Sequence, residues 1–232
     1  MVSAEEWQIV ALSLTVSSVA VCLTLPVAFG LAWLLARGRF PGKILLDGII
    51  YLPLVLPPVV TGWLLLLAFG TNGPLGRWLA QWLGLTFMFR WTGAALAAAV
   101  MALPLMVRAM RLSIEAVDRR LEGAARTLGA SPLWVFASVT VPLCVPGILA
   151  GTVLGFARSI GEFGATITFV SNIPGETRTL PLAIYSALQV PGGEALVSRL
   201  ALISVALSLA ALVLSETLAR RSGRSGRAGH VL

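Results

Sequence analysis

Five uninterrupted apolar stretches of twenty or more residues constrain this sequence more than any single motif does. They lie at roughly 8–36, 44–69, 92–112, 144–171 and 196–219. About 20 apolar residues in a helix cover the hydrocarbon core of a bilayer, so each stretch is long enough to cross it. Lipid is therefore the solvent for most of the chain. Only 12% of its 232 residues are charged and 57% are apolar, whereas a soluble domain carries about a quarter charged residues. The expected fold class is an all-α integral membrane protein with about five transmembrane helices, a sixth being possible.

The polar cluster Arg37 to Lys43 is too short for anything but a tight reversal, which makes the first two spans antiparallel neighbours. The second span contains Pro53, Pro57 and Pro58. These lack backbone donors, so the helix must kink or break there, against protein or a water-filled path rather than lipid. Placing 37–43, 108–132 and 220–232 in the cytoplasm gives that side twelve Lys and Arg against four opposite, Arg77, Arg90, Arg178 and Arg199. This positive-inside bias predicts an external amino terminus and a cytoplasmic carboxyl terminus. Within 70–91, Trp78, Trp82 and Phe87 suit an interfacial or partly inserted helix, and a sixth crossing there would break the charge pattern.

The expected organisation is a transmembrane domain over 1–220 and a basic tail over 221–232, disordered on anionic headgroups. Glu5 and Glu6 stand where a signal peptide would carry basic residues, so no cleavable leader is expected. The formal charge of +7 follows from topology, and no nucleic-acid partner is expected. Cys22 and Cys144 adjoin apolar runs and read as small buried hydrophobes. No phosphate-binding loop or H-E-x-x-H pair occurs, and the one histidine, His230, reads as solvated in the tail. The chain is thus expected to be no enzyme, with no catalytic residue, no bound metal and no ATPase site of its own.

Two polar segments and one charged pair within a span carry the remaining information. Residues 113–142 read as two short cytoplasmic helices joined by a turn at Gly129, with Ser131 a helix cap and Pro132 at the first helical position. In the fourth span Arg158 and Glu162 stand four apart on one helix face, close to mid-membrane. Ionisable groups there mark either a translocation path or a structural ion pair. The loop 172–195, with a helical pattern over Leu182 to Gln189, reads as an ordered external lid or docking surface.

The run Glu122-Gly123-Ala124-Ala125, then Gly129, Val139, Val141 and Pro142, resembles the EAA loop of ABC importer permeases. Gly123 occupies the motif's first position and Glu122 precedes it. The resemblance implies a type I permease fold in which Glu122, Gly123, Ala124, Ala125, Gly129 and Pro142 couple to an ATPase. Phe156 to Thr166 is shared with sulfate permeases, whereas Ser171-Asn172-Ile173-Pro174-Gly175-Glu176-Thr177-Arg178-Thr179-Leu180-Pro181 leans toward molybdate permeases. The similarity to molybdate permeases runs from about Trp7 to Arg220. It implies a bacterial cytoplasmic-membrane protein working with a second copy of itself, two ATPase subunits that bind ATP and Mg, and a periplasmic or lipid-anchored molybdate-binding protein.

An oxyanion can be desolvated by hydroxyls and backbone N–H groups without a fixed counter-charge. Pathway or gate candidates are Pro57, Pro58, Thr61, Arg158, Ser159, Glu162 and Thr166, with Ser17, Ser18 and Thr168 as further hydroxyls. Sulfate, thiosulfate or tungstate transport is the nearest alternative. A gradient-driven transporter, or an intramembrane enzyme, leaves the 113–142 segment unexplained.

Overall fold

A computed structural model describes residues 3–227 and places the chain in helices throughout the described elements. They run in the order α1 (Ala4–Arg37), α2 (Lys43–Val55), α3 (Pro58–Phe69), α4 (Pro74–Leu83), α5 (Trp91–Glu115), α6 (Arg119–Thr127) and α7 (Pro132–Val135). A π-helical segment (Phe136–Thr140) leads into α8 (Val141–Ile160), followed by α9 (Gly164–Val170), α10 (Leu180–Leu188) and α11 (Glu194–Arg227). Among the described residues four helices are long and apolar enough to cross a membrane: Ala4–Arg37, Trp91–Glu115, Pro132–Ile160 and Glu194–Val213. A fifth crossing forms if α2 and α3, bent by 117° at their junction, count as one broken span.

Local chemistry sets these boundaries. Ser3 and Glu6 form a reciprocal capping box that starts α1. Pro57 and Pro58 withhold the donors that the carbonyls of Pro53 and Leu54 would receive in a continuous helix, and the chain breaks there. The ten residues of α4 extend only about 15 Å, so 70–91 forms no sixth crossing. Trp78 and Trp82 lie exposed along α4, as suits an interfacial helix.

Three expectations are corrected. The helix after Ser131 does not end at Pro142. It continues to Ile160, because the π turn lets Val141 N–H reach the carbonyl of Phe136 and absorbs the donor missing at Pro142. The stretch 144–171 is not one helix but breaks between Ile160 and Gly164, which puts Arg158 in the last turn of α8. Cys22 is exposed on α1, and only Cys144 is buried. The backbone of α11 stays helical through Arg227, past the expected tail boundary, and His230 lies outside the described residues.

Helix α5 is the centre of the bundle, with α1 and α8 against it. Its buried face is mostly alanine and methionine, Ala94, Ala95, Ala97, Ala98, Met101, Ala102, Met106 and Met110, with Gly93, Pro104, Val107 and Ile114 beside them. Opposite it, α8 presents Gly147, Gly151 and Gly155 at four-residue spacing. A Cβ at Gly147 would lie 2.1 Å from Ser113 Cβ, and one at Gly155 2.6 Å from Met106 Sδ. Apolar burial does not drive helices together in lipid, so this small-residue stripe supplies the association through close packing. We predict that Gly147→Leu forces α5 and α8 apart at a cost of at least about 1–3 kcal/mol. Thermal unfolding in detergent checks this, a wild-type midpoint being the contrary result.

Candidate translocation path and coupling surface

The two helix breaks meet. A Cβ on Gly164 would lie 2.7 Å from Pro58 Cβ, and one on Gly62 would lie 2.6 Å from the Ala165 carbonyl and 2.9 Å from Thr168 Cβ. The start of α3 thus packs backbone-to-backbone on α9, and the fold joins two segments a hundred residues apart in sequence. Bilayer hydrocarbon cannot satisfy the backbone groups that such breaks expose.

Glu162 closes the second break with both its oxygens. Oε1 accepts the N–H of Ala165 at 2.8 Å, which anchors the first turn of α9. Oε2 lies 2.5 Å from Arg158 Nη1 in the last turn of α8. That second contact is an ion pair without good hydrogen-bond alignment. Glu162 is buried, whereas a quarter of the Arg158 side chain is exposed. The carboxylate therefore staples the broken span and leaves part of the guanidinium open.

The hydroxyls of Thr61 and Ser159 are buried, and neither makes a hydrogen bond among the described residues. Thr166 is buried on α9 and Ser17 on α1, whereas Ser18 is exposed. Thr168 bonds back to the carbonyl of Gly164 at 2.9 Å, which spends its donor locally. Pro57 and Pro58 stand exposed on a single chain.

The segment 113–142 has a different character. Helix α6 starts at Asp118, whose side chain accepts Arg120 N–H, and it buries none of its residues. It ends in a Schellman turn: Gly129 adopts φ +86°, its N–H bonds the Arg126 carbonyl, and Ala130 N–H bonds the Ala125 carbonyl. Ser131 then caps α7 by accepting Trp134 N–H. Ala124, Ala125, Leu128, Gly129, Ser131 and Trp134 line an open cavity of about 610 Å³, with Leu121 and Leu133 exposed nearby. Pro142 sits in the first turn of α8, apart from this surface.

Glu122 points elsewhere. Its Oε1 pairs with Arg37 Nη2 of α1 at 2.9 Å and accepts the Thr140 hydroxyl at 2.9 Å. Arg37 also lies over the Trp33 ring at 5.6 Å. At the far end of α1, Glu6 is buried and paired with Arg199 of α11 at 2.8 Å, and Ser13 accepts Leu180 N–H of α10 at 2.7 Å. Sequence reading missed these contacts because the partners stand 85, 193 and 167 residues apart. The loop before α10 is ordered by Thr177, whose hydroxyl donates to the Ser171 carbonyl and accepts Ile173 N–H.

A multi-pass helical bundle with two apposed helix breaks and a polar hairpin carrying an unburied apolar face defines a membrane permease subunit. The chain belongs to the binding-protein-dependent transport system inner membrane component family, whose model matches residues 25–224. It is 61% identical over 223 residues to the molybdenum transport system permease protein ModB of Escherichia coli strain K12, covering 96% of this chain and 97% of that one. It is 58% identical to ModB of Haemophilus influenzae, covering 95% and 96%. It is 40% identical to the sulfate transport system permease protein CysT of Salmonella typhimurium, covering 84% and 71%. In fold it is similar to a chain of a bacterial ABC transporter involved in alginate import, at TM-score 0.73, 18% identity and coverage of 94% and 80%. It is likewise similar to one of the MetNI methionine ABC transporter in an inward-facing form, at TM-score 0.68, 14% identity and 93% of each chain.

Arg158→Ala leaves the buried Glu162 carboxylate without its counter-charge, a loss of about 3–5 kcal/mol. Arg77→Ala removes an exposed side chain of α4. The first variant is expected to reduce membrane abundance or transport well below the second, as read by immunoblot and uptake. Equal, small effects would make the pair dispensable.

Proposed function

We propose that two copies of this chain form the molybdate path of an ATP-driven importer in a bacterial cytoplasmic membrane. Two cytoplasmic ATPase subunits, carrying ATP and Mg, drive it, and a periplasmic or lipid-anchored binding protein delivers the anion. The observation that carries the substrate is near-full-length identity of 61% to a protein named for molybdenum transport. Sulfate, thiosulfate and tungstate are the nearest alternatives, supported for sulfate by the 40% identity to CysT. A gradient-driven mechanism leaves the exposed hairpin without a role.

The geometry supplies a mechanism. The carbonyls of Pro53 and Leu54, which lose their helix donors at the α2–α3 break, need a partner or water beside them, which favours a second copy facing the same path. Thr61 and Ser159 offer hydroxyls that no acceptor among the described residues takes up. With Thr166 and the open part of Arg158 they can replace the water around an oxyanion, while Glu162 neutralises Arg158 and keeps binding weak. Weak binding suits a path that must release its cargo, so the delivering protein carries the selectivity.

Coupling is assigned to the α6–α7 hairpin. Ala124, Ala125 and Gly129 permit close approach of an ATPase surface, and Leu121, Leu128, Leu133 and Trp134 supply its apolar contact. Gly123 lies exposed on the same hairpin, and Pro142 sits where the hairpin passes into α8. ATP-driven closure of the ATPase pair then moves the hairpins together and turns the spans toward the outside. The amino terminus faces outward and the carboxyl terminus inward, in keeping with the lysine and arginine bias.

Reconstituted with its ATPase and binding protein in lipid, the chain is expected to show ATP hydrolysis stimulated by molybdate-loaded but not by sulfate-loaded binding protein. Stimulation by sulfate alone would overturn the substrate, and failure to bind any ATPase would overturn the mechanism. In the same assay Gly129→Asn, which tolerates a positive φ, should stay coupled. Gly129→Glu adds strain of about 1–2 kcal/mol and a charge on the docking face, and should uncouple hydrolysis from transport. Normal transport by Gly129→Glu would move the coupling surface elsewhere.

A further inference from the structure

Helix α1 is clamped near both ends by ion pairs, to α6 and the π segment at one end and to α11 at the other. Near one end Arg37 holds Glu122 of α6, and Thr140 of the π segment shares the same carboxylate oxygen. Near the other, Glu6 holds Arg199 of α11 while also capping its own helix through Ser3 N–H. Ser13, one to two turns further in, accepts Leu180 N–H at the start of α10 and donates to the Ile9 carbonyl at 2.8 Å. Glu6 and Arg37 are 31 residues apart in one helix, or about 46 Å along its axis, more than the thickness of the hydrocarbon core.

Larger contacts along α1 come from Val16, Val21 and Leu35, and from the Phe29 and Trp33 rings against Phe136. Between them Ala20, Ala28 and Ala32, all fully buried, face a bundle centre rich in alanine on α5. Such surfaces have shallow ridges, and packed helices shift by small sliding motions across them. A charged pair resists sliding because separating it leaves a poorly solvated charge. At the Glu122 end both side chains are 15% exposed, so the penalty for separation is only partly relieved by water. Among the described residues this is the one ion pair between α6 and a membrane-spanning helix, and α6 has no buried side chain of its own.

We infer that α1 is a strut with charged ends: Glu122 is a positioning residue that transfers the motion of the coupling helix to α1, and Glu6 with Ser13 passes that motion to α11 and α10. This rests on the importer reading above. It gives Glu122 a role different from that of its exposed neighbours, since its carboxylate faces its own subunit. Docking then depends on the apolar face of the hairpin, and transmission depends on the ion pair.

The test uses the reconstituted complex with molybdate-loaded binding protein, and reads ATPase co-purification, the KM for ATP, and molybdate transported per ATP hydrolysed. Glu122→Gln keeps the side-chain volume and an acceptor for Thr140. It is expected to co-purify with the ATPase and to keep the wild-type KM, while transport per ATP falls by at least about fivefold. Glu6→Gln, at the opposite end, is expected to produce the same loss, and the exchange Arg37→Glu with Glu122→Arg to recover part of it. Wild-type stoichiometry in both single variants would overturn the strut, as would an exchange no better than its parents. Loss of ATPase binding in Glu122→Gln would make the residue a docking contact and overturn it as well. Should that variant fail to reach the membrane, Arg37→Lys decides on the same readouts, because it keeps the charge but loses the guanidinium fork. A wild-type complex that hydrolyses ATP without moving molybdate would contradict the substrate reading, which the choice of anion separates from the strut.

Discussion

Hydrocarbon offers no hydrogen bonds, and the structure follows from that constraint. A helix broken inside a bilayer must return its freed backbone groups to protein or to water. This chain breaks twice, at Leu56–Pro57 and at Gly161–Phe163, and sets the two breaks against each other through Gly62, Gly164 and Pro58. Close backbone approach at that crossing requires residues without side chains, and the glycine stripe of α8 meets the same requirement against α5. The buried acid at the second break, Glu162, is held there because each of its oxygens has a cationic or N–H partner.

Around that centre the polar groups divide by task. Thr61 and Ser159 keep unspent hydroxyls at the breaks, whereas Thr168 and Ser13 spend theirs on backbone. Arg158 and Glu162 neutralise each other inside the bundle. Arg37 pairs with Glu122 and Arg199 with Glu6 near the two ends of α1, and of these four side chains only Arg199 is substantially exposed. The α6–α7 hairpin leaves Leu121, Leu128, Leu133 and Trp134 open around the turn at Gly129, and this apolar surface is the one proposed to take a partner.

Much of this was legible in the sequence because it is local. The helices over the first and third apolar stretches, the break at Pro57–Pro58, the Ser131 cap and the short helix before Gln189 follow from length, proline and capping chemistry. The break at Gly161 was not legible. Arg158 and Glu162 stand at the spacing of a helical ion pair, and the apolar run continues through Val170. Nothing local reveals that the carboxylate caps a new helix instead of extending the old one. The extension of α8 through Pro142 needed a π turn that no single residue announces. The clamps on α1 join partners far apart in sequence, and Glu122, which looks outward-facing by motif, turns inward because Arg37 and Thr140 meet it there.

The two breaks are proposed to line an aqueous path whose opening changes sides with nucleotide. Thr61→Cys, in a chain whose Cys22 and Cys144 are replaced by serine and alanine, reports on this directly through labelling by a small membrane-impermeant thiol reagent. In the assembled complex, position 61 is expected to label from the cytoplasmic side without nucleotide and from the external side with ATP trapped, molybdate slowing both reactions. A cysteine that no aqueous reagent reaches from either side in either state would place the breaks against lipid or sealed protein, and would contradict the account.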